Sequence, residues 1–188
     1  MHTQMSIADS QNSSLMIIDI QERLAGAMPK GVRDRVIEQV IVLLTAAEKL
    51  SIPVLVTEQY PKGLGPTEKA ILRKLPVDTP VVEKTNFSSA KVDEVARTLQ
   101  QSGRKQVFLA GMESHICILQ TTLDLLRQGY EVFVIEDAVS SRAKGNQFNA
   151  LQRMRLAGAV ITNVESLLFE WLGDATHPEF KALSKLIV

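Results

Sequence analysis

Cys117 is the single cysteine of this chain. A thiol becomes a nucleophile only as its thiolate, so it needs a base and surroundings that favour negative charge. Asp19 and Lys84 are residues of the right types. Asp19 directly follows the apolar run Leu15-Met16-Ile17-Ile18, and Lys84 lies at the end of Pro80-Val81-Val82-Glu83-Lys84. Cys117 comes shortly after the run Gln106-Val107-Phe108-Leu109-Ala110-Gly111. A carboxylate, an ammonium and a thiol that each follow a short apolar run suit covalent acyl chemistry, provided that the three run ends meet.

The surrounding pattern says how they meet. Three further apolar runs are Pro53-Val54-Leu55-Val56-Thr57, Glu131-Val132-Phe133-Val134-Ile135 and Ala159-Val160-Ile161-Thr162. Continuous rather than alternating apolar runs suit strands of a parallel sheet covered on both faces. Helical stripes lie between them: Val32, Val36, Val40, Ile41, Leu44 and Ala47; Val92, Val95, Ala96 and Leu99; and Phe148, Leu151 and Met154. The stretch from Ile116 to Leu126 is apolar over more of its surface, which fits deep packing or an interface. Gly103, Gly129 and Gly158 each follow a helical stretch, where a left-handed residue is expected. The predicted fold is a single α/β domain over residues 1–188, a three-layer αβα Rossmann-like arrangement around a six-stranded, mainly parallel sheet. Residues 1–12 are expected to be flexible, and the tail from Gly173 to form a short helix.

In open sheets of this kind ligands sit outside the carboxyl ends of the strands. Asp19, Lys84 and Cys117 all fall there, and the common strand order predicts their strands near the sheet centre. A helix starting near Ser114 puts Cys117 in its first turn, where backbone N–H groups lack intrahelical partners. Those groups favour a thiolate and can hold an oxyanion. Asp19 can take the thiol proton, and Lys84 can hold Asp19. On residue type and position alone, a small buried core cysteine remains an equal reading.

Three segments add a resemblance. Asp19-Ile20-Gln21, Glu83-Lys84-Thr85 and Gly111-Met112-Glu113-Ser114-His115-Ile116-Cys117-Ile118 resemble the isochorismatase-like cysteine hydrolases. Thr57 to Gly65, Asp137 to Arg142 and Gly173 to Lys181 resemble the isochorismatase domain-containing subgroup. The resemblance implies a triad of Asp19, Lys84 and Cys117, and an oxyanion hole from the backbone N–H groups of Glu113 and Cys117. It also implies a cis peptide between Met112 and Glu113, and hydrolysis of a small amide or ester through a Cys117 thioester. No cofactor is implied. Nicotinamidases of this superfamily carry histidine metal ligands after the second strand, where this chain reads Thr57-Glu58-Gln59-Tyr60. A metal-free site is therefore expected.

Position nominates Gln21, Gln59, Tyr60 and Phe87 as pocket residues, with a core role open for Phe87. Arg142 reads as a substrate-anion contact, a salt bridge or a subunit contact. His115 stands two residues from Cys117, too few for two helical side chains to face each other. His177 reads as a structural or an interface residue. The chain carries 21 basic and 21 acidic residues, so no global charge attracts nucleic acid or an anionic membrane. A small-molecule substrate and a homo-oligomer are expected instead. A lone cysteine and a polar start without a long apolar core fit the cytoplasm. Two rival readings keep the fold: a non-catalytic binding or oligomeric scaffold, and a redox sensor acting through Cys117.

Overall fold

Every residue of the first apolar run is buried, and its side chains alternate between two cores. The computed structural model describes residues 6–187. Along the chain come β1 (Ser13–Ile18), α1 (Glu22–Gly26), α2 (Lys30–Lys49), β2 (Val54–Gln59), α3 (Pro61–Leu64), α4 (Lys69–Leu72) and β3 (Val81–Lys84). A 3-10 turn (Ser89–Lys91), α5 (Asp93–Ser102) and β4 (Gln106–Met112) follow. A π-helical turn (Ser114–Ile118) then runs into α6 (Leu119–Arg127). The chain ends with β5 (Glu131–Ser140), α7 (Lys144–Leu156), β6 (Val160–Thr162), α8 (Val164–Leu172) and α9 (Phe180–Ser184).

The strands form one six-stranded sheet in the order β3-β2-β1-β4-β5-β6, and each of its ladders is parallel. Leu15 and Ile17 of β1 pack with Val36, Val40 and Leu44 of α2 and with Leu167, Leu168 and Trp171 of α8. Met16 and Ile18 face the other way, toward Val95 and Leu99 of α5, Leu125 of α6 and Met154 of α7. The sheet thus lies between two helical layers, as the continuous apolar runs require.

The chain passes from β1 outward to β2 and β3, then returns to β4 on the opposite side of β1. The switch point of the sheet therefore lies between the carboxyl ends of β1 and β4, where a crevice is expected. The two strands come unusually close there. Gly111 has φ 135°, and a Cβ at this position would run into the backbone of Ile18. Only glycine fits this approach.

Two expectations need correction. β3, which carries Lys84, is an edge strand rather than a central one. The crossover from β1 lays β2 beside it first, so β3 can only add outside β2. On α7 the buried side chains are Ala150 and Met154, while Phe148 is 64% exposed. The buried stripe therefore runs through Ala150 rather than Phe148. Residues 1–5 lie outside the described residues, but the stretch just before β1 is docked. Ala8 N–H donates to Glu170 Oε2 at 2.8 Å, and Asp9 N–H to Gln106 Oε1 at 2.8 Å. Satisfying these backbone groups ties the segment to β4 and α8.

Candidate active site

Asp19 sits one residue beyond β1 with φ 55°. Left-handed backbone is uncommon for a non-glycine residue, although aspartate tolerates it better than most. Here it turns a fully buried carboxylate into the switch-point crevice. Lys84 reaches across from the edge strand, and its Nζ lies 2.7 Å from Asp19 Oδ2, with both side chains fully buried. The length of the lysine side chain spans the width of β2. The same Nζ donates to Gln59 Oε1 at 2.7 Å and to the carbonyls of Asn86 and Phe87 at 3.2 and 3.3 Å. The other carboxylate oxygen, Asp19 Oδ1, accepts from Thr57 Oγ1 at 2.8 Å. Each charge is therefore paired and hydrogen-bonded, as burial demands.

Cys117 lies in the π-helical turn that follows β4 and is 5% exposed. The wide turn is closed by Ile118 N–H donating five residues back to Glu113 O at 3.3 Å, and Ile116 N–H donates to the same carbonyl at 3.0 Å. The peptide between Met112 and Glu113 is cis. Burial pushes the Cys117 thiol up to about 12; the Asp19 charge adds to this and Lys84 opposes it. Burial also raises the Asp19 carboxyl, against the pull of Lys84 and of hydrogen bonds from Lys84, Cys117 and Thr57. The resting pair is thus a neutral thiol beside an aspartate held by a lysine. That arrangement can pass a proton from sulfur to carboxylate as a bond to sulfur forms.

The other nominated residues divide. Gln59 is brought directly onto Lys84. Tyr60 borders a cavity of about 360 Å³ together with Pro61, Lys62, Glu83, Lys84 and Thr85. Phe87 is exposed, so it is not a core residue. Gln21 departs from its expected place: it is fully buried. Its side chain donates to the carbonyls of Gln59 and Gly65 at 3.0 and 2.7 Å and accepts Gln59 N–H at 2.7 Å. With both amide hydrogens and one Oε1 lone pair engaged by backbone groups, Gln21 braces the loop. Arg142 makes a salt bridge with Glu113. His115 turns away from Cys117, with Nδ1 3.0 Å from Ser141 Oγ. His177 Nδ1 accepts Glu179 N–H at 3.1 Å, a local turn contact.

Thr57 was not singled out from the sequence. Its signal is the register: Ile18 pairs with Thr57, so the hydroxyl stands beside the end of β1, next to Asp19. A second hydroxyl pair extends the buried network, with Ser89 Oγ 3.5 Å from Thr57 Oγ1 and Ser89 N–H donating to Thr121 Oγ1 at 2.9 Å. Among the described residues, no group of three or more His, Cys, Asp or Glu side chains is arranged to hold a metal ion. No helix among them is long and apolar enough to cross a membrane.

Known proteins of similar sequence and structure identify the family. The family model described as the isochorismatase domain matches residues 13–166. The chain is 44% identical over 180 residues to the secreted isochorismatase effector Isc1 of Phytophthora sojae, covering 94% of this chain and 84% of that one. It is 39% identical over 179 residues to isochorismatase domain-containing protein 2 of Xenopus laevis, covering 95% and 84%. The solved structure of MAR1 ribonuclease from Caenorhabditis elegans superposes with a TM-score of 0.91 at 40% identity, covering 97% of this chain and 92% of that one. The chain belongs to the isochorismatase family, and its relatives there support a hydrolase.

Proposed function

We propose that this protein hydrolyses a small amide or ester through a thioester on Cys117, with Asp19 and Lys84 completing a catalytic triad. The observation that carries this reading is the fully buried Asp19–Lys84 pair at 2.7 Å, next to the only thiol, at the switch point of the sheet. Burying two charges is costly and is seldom retained for stability alone.

As Cys117 Sγ attacks the carbonyl carbon, its proton passes to Asp19. The tetrahedral oxyanion is held by the backbone N–H groups of Glu113 and Cys117. Collapse expels the leaving group, which takes the proton from Asp19. Water, activated by Asp19, then hydrolyses the thioester and frees Cys117. Two easier displacements replace one difficult one. A thiol pushed up to about 12 makes proton transfer concerted with attack, rather than preceding it. Lys84 keeps Asp19 oriented and favours the anionic species on the path.

The cavity beside Lys84, with Tyr60 on its rim, leads a small substrate toward the site. Gln59 and Phe87 stand by as neighbours of the Lys84 ammonium. Neither a metal nor a cofactor takes part in this scheme, since the segment Thr57 to Tyr60 offers no histidine. The nematode relative is named a ribonuclease; a formal net charge of zero gives this chain no overall attraction for a polyanion. The redox-sensor reading is disfavoured, because a buried thiol with a raised pKa resists oxidation. We assign the protein to a reducing compartment, the cytoplasm, and to a homo-oligomer on the strength of the partly exposed apolar residues Ile116, Leu123 and Leu126.

The test is a panel of small amides, carbamoyl compounds and esters against wild type and Cys117→Ala. Turnover by wild type alone, with an acyl adduct on Cys117 in intact-mass spectra, supports the thioester. Turnover that survives Cys117→Ala refutes it.

A further inference from the structure

The salt bridge between Glu113 and Arg142 plays no part in the thioester cycle, yet it grips the residue whose N–H is proposed to hold the oxyanion. Glu113 immediately precedes the turn that carries Cys117. Its side chain is 3% exposed, whereas that of Arg142 is 59% exposed. The backbone N–H of Arg142 donates to Glu113 Oε2 at 2.9 Å, and the guanidinium Nε lies 3.2 Å from both carboxylate oxygens. A surface guanidinium thus closes over a buried carboxylate. A second tie joins the same segments, His115 Nδ1 to Ser141 Oγ at 3.0 Å. Two adjacent residues beyond β5 therefore hold two residues of the β4-to-helix turn.

We propose that Arg142 is a positioning residue for acyl transfer: by clamping the Glu113 carboxylate it fixes the Glu113 peptide against the reacting carbonyl. This rests on the thioester reading and adds to it. On the other side, the Glu113 carbonyl is already fixed by Ile116 and Ile118 N–H, so the side-chain clamp completes the restraint on this residue. Preorganised donors gain their strength from needing no rearrangement when charge develops. Without the guanidinium, the buried carboxylate keeps only the backbone N–H of residue 142, loses its charged partner and is driven toward water or protonation. Either response turns the Glu113 peptide away from its position, and small misplacements in a reacting site are costly in rate.

The experiment separates acylation from simple thiol reactivity. p-Nitrophenyl acetate acylates a thiol through an oxyanion: the S–C bond forms, the C–O bond to p-nitrophenolate breaks, and the thiol proton passes to Asp19. Iodoacetamide alkylates by direct displacement of iodide, with no oxyanion to stabilise. On wild type, Arg142→Ala, Arg142→Lys and Glu113→Gln, well below each variant's Tm, acetylation is followed by the first-turnover release of p-nitrophenolate and alkylation by intact mass. Arg142→Ala should slow acetylation by about 10-fold or more, with alkylation changed by less than about 2-fold. Arg142→Lys should recover part of the acetylation rate, because it restores a cation, and Glu113→Gln should resemble Arg142→Ala. Equal acetylation of wild type and Arg142→Ala overturns the proposal. So does a parallel fall in acetylation and alkylation, which marks a merely structural role. A wild-type protein that releases p-nitrophenolate no faster than Cys117→Ala, yet is alkylated at Cys117, strikes the thioester reading itself and removes the oxyanion that the clamp would serve.

Discussion

Two helices of this molecule begin in opposite ways. α8 begins with two side-chain caps: the Asn163 side chain accepts Ser166 N–H at 2.8 Å, and Asp137 accepts Val164 N–H at 3.0 Å. The turn that carries Cys117 begins at Glu113 with no side-chain cap, and the Glu113 carboxylate is committed to Arg142 instead. Unpaired N–H groups at a helix start carry partial positive charge. In α8 that charge is spent on the protein's own side chains and serves stability. Beside Cys117 it is proposed to serve an anion that exists only during reaction. An uncapped start is not by itself special, since α2, α5 and α7 also begin without a side-chain cap; the Cys117 turn differs in the thiol it carries and in its proposed task of receiving charge.

The largest effects should come from the open start. Cys117→Ala should abolish turnover on any genuine substrate while leaving Tm close to wild type, because a small buried side chain is replaced by a smaller one. Asp19→Asn should lower kcat by about 10²–10⁴-fold, the usual worth of a positioned general base. Lys84→Met should cost both activity and stability, since it strands the Asp19 carboxylate without its partner. Breaking a buried pair from one side costs about 3–5 kcal/mol, which chemical denaturation would read directly. The double variant Asp19→Asn, Lys84→Met should recover much of that stability and none of the activity. A Lys84→Met protein as stable as wild type would show that the pair is not buried in solution.

The raised pKa values set the pH dependence and its sign. Asp19 must be ionised to accept the thiol proton, so kcat/KM should rise with pH through a group titrating above the ordinary carboxylate range of about 4. The folded state holds the Asp19 proton more tightly than the unfolded chain does. Its contribution to stability is therefore fully present below the ordinary value and is lost as pH rises through the raised one. Cys117 behaves likewise at the alkaline end: stability should fall as pH rises from its ordinary value of 9.0 toward about 12. Cys117→Ala should remove that alkaline slope. Iodoacetamide labelling of native wild type should still be accelerating at about pH 10, whereas a thiol with an ordinary pKa of about 8.5 would be levelling off.

Much of this site was legible in the sequence because its parts sit at strand ends, and strand ends follow from apolar runs. The common strand order then suffices to let the ends carrying Asp19, Lys84 and Cys117 converge, and the resemblance implies their roles as a triad. What needed the actual strand order and register stayed hidden. Lys84 stands on an edge strand and reaches its partner across β2, and Thr57 joins Asp19 only because Ile18 pairs with Thr57. Gln21 has the position of a pocket residue, yet its amide is consumed by the backbone of Gln59 and Gly65. No residue pattern reveals such engagement. Phe148 failed for a different reason: periodicity finds an apolar stripe but does not decide which edge of it meets the sheet, and here Ala150 does.

The smallest effect tests the closed start. Asn163→Ala removes the side-chain acceptor for Ser166 N–H while Asp137 still holds Val164 N–H. Loss of one cap typically costs about 1 kcal/mol, and for a domain of this size that is a Tm drop of about 2–4 °C. α8 packs Leu167, Leu168 and Trp171 against the face of the sheet that Leu15 and Ile17 point into, so the loss should be felt as stability and nowhere else. The kcat and KM of Asn163→Ala should equal those of wild type at temperatures well below the transition. A kinetic defect at unchanged Tm would mean that α8 communicates with the crevice, and the division between a helix start built for stability and one proposed to receive charge would fail.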